Sequence, residues 1–132
     1  MKKKRKPRRK KPKKTAIRTF KVVNDVWSYA IFVRIGGSVE QAAKAMDKLF
    51  ESSFAEDNSN PHALARCFLL DNEKSHLIWF RESPGAGLLT HEVLHSVHHV
   101  LDCSGMQLNR ETEEAYAYLI DWTVRQIGFK IW

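Results

Sequence analysis

The sequence predicts a single-domain α+β fold, and three observations carry that expectation. Runs of β-branched and aromatic residues alternate with helical stripes in the order strand, helix, two strands, two helices. Glycine, asparagine and proline clusters punctuate them. The chain has 132 residues, 43% hydrophobic and 11% aromatic, which suits one ordinary core.

Residues 1–14 hold eleven of the 22 Lys and Arg and no acid, so the net charge of +7 belongs to this arm. The remaining body, residues 15–132, is mildly acidic. The arm is self-repelling, with Pro7 and Pro12 blocking a helix, and is expected to be disordered in isolation.

β Character is strong from residue 19 to residue 35, with Asn24-Asp25 as a turn or bulge inside it. Gly36-Gly37 breaks the strand. Ser38 and Gln41 have the spacing of a capping box, and Ala42, Ala45, Met46, Leu49 and Phe50 continue a helical stripe over 38–52. Apolar runs near 64–70 and 76–82 flank Asp71-Asn72-Glu73-Lys74, as in a hairpin, giving a small antiparallel or mixed sheet. Helices are expected over 88–102 and 110–126, the second capped by Asn109 and stopped by Gly128.

Several classes are excluded by the same reading. No apolar run approaches the roughly 18 residues needed to span a bilayer, and the basic start has no apolar stretch behind it. The expected setting is the cytoplasm of a viral or bacterial host cell, without membrane association. Cys67 and Cys103 form no Cys-x-x-Cys pair and suit free thiols in a reducing compartment.

The chemistry concentrates in His91-Glu92-Val93-Leu94-His95. Side chains at i and i+4 share a helix face, so His91 and His95 can present imidazole nitrogens to one zinc ion. Glu92, one step around the helix, can move a proton beside the metal. A chain of this composition would contain such a pentapeptide by chance about 0.02 times, so coincidence is a poor account. The competing reading is a surface helix with incidental histidines. His98 and His99 share this helix, and three ligands in line on a straight helix cannot surround an ion. They are expected to be exposed or supporting residues. A third ligand would then come from the next helix, where Glu111, Glu113 and Glu114 are the suppliers. Geometry leaves Glu113 and Glu114 open; Glu113 heads the more apolar stripe (Ala117, Ile120, Val124).

His-Glu-x-x-His followed by a Glu on the next helix resembles the gluzincin-type zinc metallopeptidases. Thr90-His91-Glu92-Val93-Leu94-His95 with Glu114-Ala115-Tyr116-Ala117-Tyr118-Leu119 looks most like small peptidases encoded by bacteriophages. It is also distantly similar to regulator-cleaving peptidases with Glu-x-x-Ala after their His-Glu-x-x-His. The resemblance covers about residues 76–127. It implies a zinc ion on His91, His95 and Glu114, Glu92 as general base and acid, and a peptide or protein substrate. The Asn-Glu-x-x-x-Asp signature of better-known gluzincins is missing. Relatives pair substrate with an edge strand, which suggests Ile78 and Trp79 as substrate-binding residues. Tyr118 is a candidate to contact a peptide carbonyl.

The arm supports an alternative. Lys2, Lys3, Lys4, Arg5, Lys6, Arg8, Arg9, Lys10 and Lys11 could neutralise several phosphates, giving salt-sensitive, non-specific affinity for nucleic acid. In that reading the chain is a nucleic-acid-associated accessory protein with a structural or vestigial zinc site.

Overall fold

A computed structural model describes residues 16–56 and 60–132. The basic arm and the nucleic-acid contacts expected of it lie outside the described residues. The body is α+β, with a four-stranded mixed sheet and three α-helices.

The expected long strand is a hairpin of β1 (Arg18–Asn24) and β2 (Tyr29–Ile35), paired antiparallel from Arg18 opposite Ile35 to Asn24 opposite Tyr29. Asn24 Oδ1 accepts from the Trp27 amide at 2.9 Å, and Ser28 takes a left-handed φ of 56°. The turn falls where Asn24-Asp25 marks it, with the strand-forming residues Val26 and Trp27 inside it.

Gly36 and Gly37, at φ 102° and 74°, turn the chain out of the sheet in a region that disfavours other residues. Helix α1 (Val39–Phe50) follows, with both bonds of the expected capping box formed between Ser38 and Gln41. A Ser38→Ala variant should lose about 1 kcal/mol of unfolding free energy in urea titrations.

After a 3₁₀ turn (Phe54–Glu56), β3 (Ala65–Leu70) and β4 (Glu73–Phe80) form the second hairpin across Asp71-Asn72. Its register shifts between Phe68 and Leu70. Strand β2 pairs parallel with β4, so the order is β1-β2-β4-β3, and among the described residues the outer strands are β1 and β3. Helices α2 (Ala86–Cys103) and α3 (Glu113–Ile131) complete the chain.

Alternation along the strands sorts two apolar layers. Ile31, Val33, Ile35, Ile78 and Phe80 pack with Leu89, Val93 and Val97 of α2 and Tyr116, Leu119 and Ile127 of α3. On the other face Phe68, Leu77 and Trp79 pack under Val39, Ala42 and Met46 of α1. Among the described residues, no helix is long and apolar enough to cross a membrane.

Two helix boundaries differ from the expectation. Asn109 caps a turn rather than α3: its Oδ1 accepts from the amides of Glu111 and Thr112, and the helix opens after Thr112. Gly128 does not stop α3 but is buried within it, where an added Cβ would lie 3.3 Å from the Trp132 ring. That glycine serves close packing rather than termination.

Candidate active site

Helix α2 is anchored by one face. Leu89, Glu92, Val93, Ser96, Val97, Val100 and Leu101 are buried against the sheet, while His91, Leu94 and His95 are exposed. The apolar members fix the rotation of the helix and so aim the pentapeptide: the His pair looks outward and Glu92 turns in towards strand β3.

The Nε2 atoms of His91 and His95 are 3.3 Å apart, with ring centroids at 5.0 Å. Two nitrogens bound to one tetrahedral zinc at ordinary bond lengths would lie roughly 3.3–3.4 Å apart. The same separation suits a hydrogen bond between neutral rings. The pair thus fits two of the positions of a zinc site.

Glu92 is 6% exposed. Burial raises the pKa of its carboxyl, opposed by the charges of His91 and His95. A depression of about 290 Å³ opens beside it, lined by Ala65, Arg66 and Cys67 of β3 together with Glu92 and His95. Burial also pushes the Cys67 thiol far above its ordinary range, with the Glu92 carboxylate adding to the effect. Cys67 thus lacks the lowered pKa that activates a nucleophilic thiol.

The carboxylate expected as third ligand is carried by α3, the helix packed beside α2. Helices α2 and α3 run antiparallel: His98 lies against Tyr116, ring centroids 6.1 Å apart, and His91 shares a surface depression with Ile120. Glu113 and Glu114 open α3 and are exposed. Among the described residues, no group of three or more His, Cys, Asp or Glu is arranged to hold a metal ion.

The substrate-contact expectations are also corrected. Strand β4 is interior, hydrogen-bonded to β2 and β3, and Ile78 and Trp79 are fully buried, so neither its backbone nor these side chains are free to meet a peptide. The edge strand beside Glu92 is β3. Strand order is set by tertiary pairing and leaves no mark in the local pattern, so the run at 64–70 carries no sign that Ala65–Cys67 borders Glu92. Tyr118 is 73% exposed and borders a groove with Val26, Trp27 and Trp122, away from Glu92. Tyr116 is a packing residue, its hydroxyl donating to the Met106 carbonyl at 2.9 Å. His98 is exposed, and the half-buried His99 ring bonds the Glu73 carbonyl at 2.6 Å.

Compared with known proteins, the chain matches no family model, no curated protein and no solved structure.

Proposed function

We propose that the chain hydrolyses peptides with a zinc ion held by His91 and His95 and with Glu92 as general base and acid. The observation that carries this reading is the tetrahedral spacing of the two Nε2 atoms beside a buried carboxylate of raised pKa. Glu114 enters as third ligand on the resemblance alone.

Zinc, when bound, supplies a Lewis acid that lowers the pKa of water and polarises a carbonyl. Glu92 takes the proton from water as its oxygen bonds to the peptide carbonyl carbon. The same carboxyl returns the proton to the departing amine as the C–N bond breaks. An extended substrate laid along the open side of β3 would use strand-type hydrogen bonds and pass in front of Glu92.

Elemental analysis tests the metal. The parent should carry about one zinc per chain and His91→Ala should carry far less. A parent without zinc overturns the reading. Parallel measurements on Glu113→Ala and Glu114→Ala identify the third ligand, since only its loss should release metal.

A second reading rests on the eleven cations of residues 1–14. Deleting them should abolish salt-sensitive binding to random-sequence DNA in filter assays while leaving peptide turnover unchanged. Equal DNA binding by both forms would remove the arm from consideration.

A further inference from the structure

On the face of the sheet opposite Glu92, α1 leaves part of β1 and β2 uncovered by any described residue. The gap is a groove of about 540 Å³, lined among others by Lys21, Phe32, Arg34, Lys48, Leu49 and Leu77. Its size falls within the roughly 300–1,000 Å³ of small-molecule sites.

The lining has a definite polarity. Phe32 and Leu77 belong to the apolar layer beneath α1, and Leu49 is 46% exposed at the rim. Three cations surround this floor, from three different elements: Lys21 on β1, Arg34 on β2 and Lys48 on α1. Among the described residues, no acid lines the groove. The Nε of Arg34 is buried and has no hydrogen-bond partner among the described residues. Arg34 itself lines the groove, and a carboxylate or phosphate is the group that best matches the fork of donors on a guanidinium.

We infer that this groove is a binding site for an amphiphilic organic anion, a medium-chain carboxylate being the simplest form. The head group meets Arg34, with Lys21 and Lys48 closing around it, and the chain lies over Phe32, Leu49 and Leu77. Charge excludes the chain's own basic arm as occupant, because that segment carries no acid to meet three cations. The apolar floor disfavours a nucleic-acid strand, whose phosphates keep their solvent. This site lies across the sheet from Glu92 and stands independently of the peptidase reading.

Calorimetric titration of the full chain with decanoate, below its micelle concentration, tests the inference. One saturable site per chain is expected, at least tenfold tighter for decanoate than for butyrate or for uncharged decanol. Arg34→Met should weaken decanoate at least tenfold, since a hydrogen bond to a charged group is worth about 1.5–3 kcal/mol. Lys48→Gln, an exposed change on α1 that leaves the core untouched, should weaken it about threefold and covers the case in which Arg34→Met does not fold. Unsaturable binding, equal affinity for decanol, or an unchanged constant in a folded Arg34→Met or Lys48→Gln chain overturns the inference. Displacement of decanoate by oligo-thymidylate would assign the groove to nucleic acid instead and overturn it as well.

Discussion

Glu92→Gln is expected to retain the zinc content of the parent and to lower kcat for peptide hydrolysis by about 10²–10⁴-fold, the range that a positioned general base supplies. The reason is local. Glutamine keeps the shape of a side chain that is 6% exposed, so the packing of α2 on β3 is preserved while the proton acceptor disappears. The pH profile should carry a second mark. Losing the proton acceptor at Glu92 should flatten the acid limb of kcat/KM that the parent shows. Turnover by Glu92→Gln at the parent's rate would remove Glu92 from the mechanism.

The second large effect is on stability in mild acid. His76 of β4 is completely buried. Its Nδ1 lies 2.7 Å from the Lys74 carbonyl, which can only accept, so Nδ1 carries the proton. Nε2 then accepts from the Ser96 hydroxyl at 2.6 Å. The ring stacks on Tyr29, centroids 6.3 Å apart, and His99 approaches from α2 at 6.0 Å. Desolvation is the main cause that lowers its pKa from 6.5 to about 4, with the charge of His99 adding to it. The unfolded chain therefore binds this proton more tightly than the folded one between those values. Stability is complete above about pH 6.5 and falls as the pH drops towards 4, by roughly 2–3 kcal/mol at pH 4.5. The depressed Asp47 carboxyl, bonded by Ser52 and the Phe54 and Ala55 amides, acts at lower pH than this window. Urea unfolding at pH 7 and 4.5 should show the loss in the parent, and His76→Gln should show much less of it. The same pH slope in both chains would mean that another group titrates.

What was legible in the sequence is what short-range rules control. The capping box of Ser38 and Gln41, the Asp71-Asn72 hairpin turn and the spacing of His91 and His95 each depend on residues within a few positions of one another. The features that escaped depend on remote partners. Ile78 and Trp79 look like any apolar strand until β2 is seen on one side of them and β3 on the other. Asn109 looks like the cap of the last helix, yet it caps a turn of the connection and the helix opens only after Thr112. Gly128 reads as a stop signal only until Trp132 folds back against it. At short range Asn24-Asp25 marks the β1–β2 turn even though Val26 and Trp27 place strand-forming side chains inside it.

The parallel pairing of β2 with β4 has a kinetic consequence. It sets Val33 opposite Ile78, so this ladder must close a long stretch of chain before it gains anything. The hairpin of β3 and β4 and the helix that follows draw instead on contiguous sequence, and they already contain Cys67, Glu92 and both histidines. Refolding should accordingly be governed by the late docking of the β1–β2 hairpin, in the slower range of small mixed folds. The stretch that bears the catalytic candidates is then the nucleus onto which the remainder condenses.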